Sequence, residues 1–187
     1  MPLQESLYCP ECFRRYAAGH AYCPEHGARL VLLPGEPSLA GQVVAERYHI
    51  AVELGVGGIG VVYRAEHALI HRDLALKVFR RFLAEDPAAM PRLEAVTDAA
   101  LRLRGPCTIR VYDAGLTGDG RLFLARELAL RPSLRELLDR EGPLRPATAL
   151  RMAVGVARAL EEAHAQGLLH RGLSPGNIFP GASGDEV

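Results

Sequence analysis

Lysine is all but missing from this chain of 187 residues: of 22 lysine and arginine side chains, Lys77 alone is lysine. Where arginine fills nearly every cationic position, the one ammonium poses a chemical question that its surroundings must answer. Charge of one sign is lacking too, since 22 acidic residues balance the basic ones. There is then no global pull toward nucleic acid or an anionic membrane, and no nucleic-acid partner is expected. No apolar run approaches the roughly 18 to 20 residues that span a bilayer. The first eight residues carry neither a basic start nor an apolar stretch, so no signal peptide is expected and a cytoplasmic location follows. Hydrophobic residues nevertheless make up 49%, enough for a packed core and too many for a disordered chain.

Three of the four cysteines fall early in the chain. Cys9-Pro10-Glu11-Cys12 and Cys23-Pro24-Glu25-His26 are matching hooks, each with two residues between its ends. Zinc prefers four soft or borderline ligands in a tetrahedron, and two such hooks supply two each. Cys9, Cys12, Cys23 and His26 are therefore expected to bind a structural zinc ion, with Phe13, Tyr16 and Leu30 as cover. Disulfides are the alternative, which a cytoplasmic chain disfavours. His20 is a spare ligand, and Cys107 reads as a buried small hydrophobe. Proline and glycine in Pro34-Gly35-Glu36-Pro37-Ser38 resist helix and strand alike, which marks a linker.

Beyond it, Tyr48, Ile50 and Val52, then Val61, Tyr63 and Ala65, then Leu74, Leu76 and Val78 alternate with period two and predict three strands. A helix over 88–103 follows, with Leu93, Val96, Ala100 and Leu103 at helical spacing. Strands over 109–112 and 122–127 flank a turn at 115–120. Ser133 caps a helix ending near Arg140, and Pro146 opens a longer one with Leu150, Val154, Ala157, Leu160, Ala163 and His164 on one face.

Gly55-Val56-Gly57-Gly58-Ile59-Gly60 joins the first two strands. A Walker loop would end in Gly-Lys-Ser/Thr, which is absent, and a dinucleotide fold needs a helix where Val61-Val62-Tyr63 reads as strand. What remains is a glycine-rich hairpin over the phosphates of ATP, which demands a lysine on the next strand. Ala75-Leu76-Lys77 provides it. Together 54–62 and 75–77 resemble the Gly-rich loop and the lysine strand of protein kinases, and 48–179 resembles the bacterial serine/threonine kinase family.

The resemblance implies an α+β fold: a five-stranded antiparallel N-lobe with one helix, a truncated helical C-lobe, and the zinc ribbon in front. The expected boundaries are 1–34 for the ribbon, 35–46 for the linker, 47–128 for the N-lobe and 129–187 for the partial C-lobe. It also implies an adenine site of Leu54, Val62 and Ala75, a phosphate grip by Gly55, Gly57, Gly58, Gly60 and Lys77, and a hinge at Glu127-Leu128. Arg126 then occupies the position of an apolar gatekeeper. The family pairs the lysine with a glutamate on the following helix. Glu94 is the candidate, yet counting back from Gly105-Pro106, which stands where the family has His-Pro, gives Val96. Two residues turn a helix by about 200°, so the two positions cannot serve the same partner.

The catalytic loop should read H-R-D-x-x-x-x-N. His71-Arg72-Asp73 matches in letters but precedes the lysine strand, so it is read as a turn. The matching segment is His170-Arg171-Gly172-Leu173-Ser174-Pro175-Gly176-Asn177. Gly172 replaces the aspartate that accepts the substrate proton, and Ser174 replaces the phosphate-neutralising lysine. Asp-Phe-Gly, whose aspartate holds magnesium, does not occur, leaving Asn177 as a weak magnesium ligand. The expectation is an impaired pseudokinase that binds ATP and works through a protein partner. A fragment of an active kinase and a zinc-ribbon adaptor without nucleotide are the alternatives.

Overall fold

The computed structural model describes residues 6–9, 15–16, 19–25, 27–33, 36–85, 89–170 and 172–181. The chain divides into two compact units, Met1–Pro91 with Ala114–Ala125, and Arg92–Asp113 with Arg126–Val187.

The first unit holds two sheets. The smaller has order β2-β1-β3, from β1 Ser6–Tyr8, β2 Arg15–Tyr16 and β3 Val31–Leu33, with β1 antiparallel to both neighbours. Cys9, Cys23 and Leu30 form its buried cluster, flanked by Leu7, Tyr16 and Ala28. A turn closes the second hook: the Gly27 amide donates to Cys23 O and the Cys23 amide to Ala28 O, with Gly27 in the left-handed region at φ +63°.

The larger sheet has order β4-β5-β6-β7-β9-β8. Its strands are β4 Val43–Val44, β5 Tyr48–Val56, β6 Gly60–His67, β7 Arg72–Phe79, β8 Val111–Leu116 and β9 Leu122–Arg126. The five expected strands are all present, and β4 adds a sixth at the edge. Alternation works as expected along β6 and β7, where Tyr63, Ala65, Leu74, Leu76 and Val78 enter the core with Tyr48 and Phe123. The Tyr48 and Phe123 rings meet edge to face at 5.4 Å. On β5 the alternation breaks. Register shifts between Ile50 and Val52 and between Glu53 and Gly55 turn Val52 out to 51% exposure.

Residues 36–46, within the stretch expected as a linker, are packed. Leu39 and Val44 belong to the core, β4 pairs with β5, and the Leu39 amide donates to the Tyr63 hydroxyl. Glu36 accepts from the Arg81 amide at 2.8 Å and from Arg121 Nη1 at 3.0 Å. Asp119 joins Arg121 and Arg81 in turn, at 3.0 and 2.6 Å. Burial pushes the Asp119 carboxyl up, but hydrogen bonds from Thr117 and Arg121 and both guanidinium charges outweigh it, so its pKa ends low.

A four-residue helix that no periodicity announces, α1 Arg81–Ala84, follows β7. Helix α2 spans Ala89–Ala100, three residues short of the expected end. Its buried residues are Thr97 and Ala99, while Val96 is 55% exposed. Leu103 is buried beyond the helix. Strand β8 starts later than expected and runs through Gly115, where a Cβ would crowd the Phe123 ring at 3.1 Å. The turn is thereby confined to 117–120, closed by Thr117 N to Arg121 O at 2.8 Å.

In the second unit Ser133 caps α3, Leu134–Glu141, with a full capping box to Glu136. Helix α4, Pro146–Ala165, buries Thr148, Met152 and Gly155 and leaves Leu150 at 67% and Val154 at 45% exposure, so the expected apolar face is partly uncovered. Glu162 on α4 braces the loop before β8. Its carboxylate accepts from the amides of Arg104 and Gly105 and from the Thr108 hydroxyl. A side chain at Gly105 would collide with that carboxylate, so the glycine in the family's His-Pro position makes room for it. Among the described residues no helix is long and apolar enough to cross a membrane.

Candidate functional site

The glycine-rich segment is a hairpin tip, built by the antiparallel pairing of β5 with β6. Gly55 pairs with Val62 and Val56 with Val61, and the Gly57 amide donates to Gly60 O at 2.8 Å. Only glycine fits at Gly60, because a Cβ there would lie 2.5 Å from Val78 O and 3.2 Å from Phe79 Cα. Gly58 is buried, whereas Gly55 and Gly57 face solvent. The sequence places glycine where β6 must lie flush on β7 and where the tip must stay bare.

Lys77 sits opposite Val62 in the β6–β7 register, two residues from Ala75. Pleating puts Val62, Ala75 and Lys77 on one face of the sheet. Ala75 is 3% exposed, Val62 and Lys77 are half-buried, and Leu54 is 50% exposed. The Lys77 ammonium lies over the Phe79 ring at 4.8 Å from its centroid, a cation–π contact. Gly55, Val62, Ala75 and Lys77 thus share one face of the sheet, with Leu54 beside them in the register shift of β5.

Two further groups tie this surface down. Arg80, only 5% exposed, donates from both Nε and Nη2 to Gly57 O at 3.3 Å, and its amide donates to Ile59 O. Sequence reading missed this residue. The signal was an arginine inside the apolar run Val78-Phe79-Arg80-Arg81-Phe82-Leu83. Of the early His71-Arg72-Asp73, expected as a turn, only His71 lies in the turn, at φ +47°; Arg72 and Asp73 open β7, and Asp73 is bound to Arg64.

The remaining residues lie in the second unit. Glu94 is exposed on α2. The Glu127 amide donates to Arg110 O at 2.8 Å, and Leu128 is half-buried. Before it, Arg126 has a buried Nε without a hydrogen-bond partner, and burial holds its pKa below the usual arginine range. The catalytic-loop segment folds on itself. The Gly172 amide donates to His170 O and Nδ1, and Asn177 Nδ2 donates to Gly172 O at 2.7 Å. Ser174 precedes a 3₁₀ turn over Pro175–Asn177, and the Leu134 amide donates to Ile178 O. Arg171 lies outside the described residues.

Of the expected zinc ligands, Cys9 and Cys23 are buried and free of disulfides, and the Tyr16 hydroxyl lies 3.1 Å from Cys23 Sγ. Cys12 and His26 fall outside the described residues. Among the described residues no three metal-binding side chains converge. His20 is exposed, and Cys107 is half-buried rather than buried.

Comparison with known proteins gives this arrangement its family. The chain is 36% identical over 146 residues to the serine/threonine-protein kinase pkn3 of Myxococcus xanthus, covering 78% of this chain and 27% of that protein. It is 37% identical over 132 residues to PknH of Mycobacterium bovis, covering 71% and 22%. The chain therefore spans about a quarter of the length of the curated relatives it matches. Among solved structures, the kinase domain of Mycobacterium tuberculosis PknI matches with TM-score 0.67 and 30% identity over 76% of this chain and 57% of that one. The family described as protein kinase domain matches residues 48–185. A glycine hairpin laid on a lysine strand, continuous with that match over most of the chain, makes this chain a member of the protein kinase domain family, of the bacterial serine/threonine type.

Proposed function

We propose that this chain is a catalytically impaired protein kinase domain, a pseudokinase that binds ATP and signals through a protein partner. One observation carries the reading: the hairpin, Val62, Ala75 and Lys77 share a sheet face while the catalytic aspartate position is Gly172. Leu54, Val62 and Ala75 would enclose adenine and Lys77 would hold the α- and β-phosphates, with Glu127-Leu128 at the family's hinge positions. Magnesium supplies charge neutralisation between phosphates when bound. Asn177 would offer it Oδ1, the oxygen donor a hard cation takes, with Nδ2 donating to Gly172 O. Gly172 has no group to take the proton from a substrate hydroxyl, a role worth about 10²- to 10⁴-fold in rate. Ser174 likewise cannot neutralise a transferred phosphoryl.

We read residues 1–34 as a structural zinc knuckle of Cys9, Cys12, Cys23 and His26. The burial of Cys9 and Cys23 as free thiols in one cluster supports this over disulfides.

The test is thermal melting with and without magnesium and ATP. At a nucleotide concentration 100 times Kd the wild type gains about 2.7 kcal/mol, and Lys77→Ala loses most of that gain. A wild type that does not respond, or a variant that responds equally, refutes nucleotide binding and favours the adaptor alternative. Phosphate transfer by the purified chain refutes the impairment and favours the active-kinase fragment.

A further inference from the structure

The small sheet and the glycine hairpin are far apart in sequence, yet both converge on the residues just after β7. Tyr8 at the end of β1 is 8% exposed, and its ring packs on Phe82 at 5.4 Å between centroids. Two residues before Phe82 is Arg80, whose side chain and amide hold both ends of the hairpin tip, at Gly57 O and Ile59 O. A second tether from the same N-terminal stretch reaches the same place, because Glu36 accepts the Arg81 amide. The 80–82 segment is therefore gripped from one side by residues 8 and 36 and itself grips the hairpin.

We propose that Tyr8 and Arg80 form a positioning relay through which the N-terminal sheet fixes the tip of the glycine hairpin. The physics favours a relay over two independent contacts. A buried guanidinium needs fixed partners, and the forked Nε and Nη2 pair on one carbonyl is stereospecific to arginine. The tip has no long side chain of its own to hold it, so its conformation depends on what grips its carbonyls. Burial raises the Tyr8 pKa and the Arg80 charge opposes that rise, which is consistent with the phenol facing the guanidinium. Neither residue would touch nucleotide; both act through the backbone of Gly57 and Ile59. The consequence for ATP rests on the nucleotide reading above, but the coupling itself does not, and it is tested without nucleotide.

The experiment is amide hydrogen exchange on the full chain, comparing the Gly57 amide, which closes the tip, with the Leu76 amide in the fully buried middle of β7. Arg80→Lys keeps the charge and loses the fork. It is expected to speed Gly57 exchange about tenfold, the worth of one or two hydrogen bonds, with Leu76 unchanged. Tyr8→Ala is expected to act in the same direction and less strongly, and the double variant to be no faster than Arg80→Lys alone. Should Tyr8→Ala not fold, Tyr8→Leu, which removes the ring contact on Phe82 and keeps apolar volume, takes its place with the same criteria. An unchanged Gly57 amide in Arg80→Lys, multiplicative effects in the double variant, or equal acceleration of Gly57 and Leu76 would each overturn the relay. Loss of ATP binding alone leaves these rates untouched, so the two proposals fail separately.

Discussion

Gly60→Ala puts the close approach of β6 and β7 to a direct test. The new Cβ would lie 2.5 Å from Val78 O, whereas ordinary contact begins near 3.4 Å, so the strands must part there by roughly 0.9 Å. The obstacle is the β7 backbone, Val78 O and Phe79 Cα, and no side chain can swing away to relieve it. Overpacking of this kind costs about 1–3 kcal/mol. For a chain of this size each kcal/mol moves Tm by about 2–4 °C, so a fall of about 2–12 °C is expected by scanning calorimetry. Gly55→Ala is the internal control, since a Cβ there meets nothing within 4 Å. Its melting temperature should stay within a degree or two of wild type, because open space and an ordinary backbone impose no strain. If Gly60→Ala melts with the wild type, or if Gly55→Ala falls equally, the steric reasoning is wrong.

The other predictions concern the supports of the fold. Glu162→Gln should cost about 1 kcal/mol in urea unfolding, because a half-exposed carboxylate accepts three hydrogen bonds. The Arg104 amide is the main cause of the lowered Glu162 pKa, partly opposed by burial and aided by Gly105 and Thr108. A depressed carboxyl stabilises above the unfolded value of about 4.3 and loses that contribution as pH falls through the lower folded value. The wild type should therefore lose stability below about pH 4 more steeply than Glu162→Gln, and parallel curves would refute the assignment. Arg121→Met should cost about 3 kcal/mol by calorimetry, since Glu36 and Asp119 would face each other without the buried guanidinium between them. Metal analysis should find one zinc per chain, lost in Cys9→Ser; a folded chain that holds no metal would refute the knuckle.

The larger sheet was legible because β6 and β7 are long enough to repeat an alternation, and because glycines and one lysine stand where nucleotide chemistry wants them. Capping chemistry at Ser133 and Pro146 marked α3 and α4 in the same local way. What escaped was of two kinds. β4 and α1, of two and four residues, are shorter than any periodicity can register. Arg80 and Glu162 act on partners 23 and 57 residues away, and the Glu36–Arg121 pair spans 85, so no local pattern announces them. The packing of 36–46 escaped for the same reason: proline and glycine disfavour regular structure there but say nothing about Leu39 or Glu36 finding distant partners. β8 was misplaced because Gly115 reads as a turn residue, while its real constraint is the Phe123 ring beside it.

The two tethers at Tyr8 and Glu36 also have a meaning in chain entropy. Each end of the cysteine-bearing segment is fixed to the same short stretch after β7. Closing a flexible loop costs free energy that grows slowly with length, about 0.6 kcal/mol per doubling. Here contacts with Phe82 and Arg81 hold both ends of that loop through protein groups alone. If the proposed knuckle takes a metal, its two hooks already lie between fixed ends. Zinc affinity would thus be set partly by an ion pair that touches no ligand, and loosening Glu36 from Arg121 would weaken metal binding at a distance.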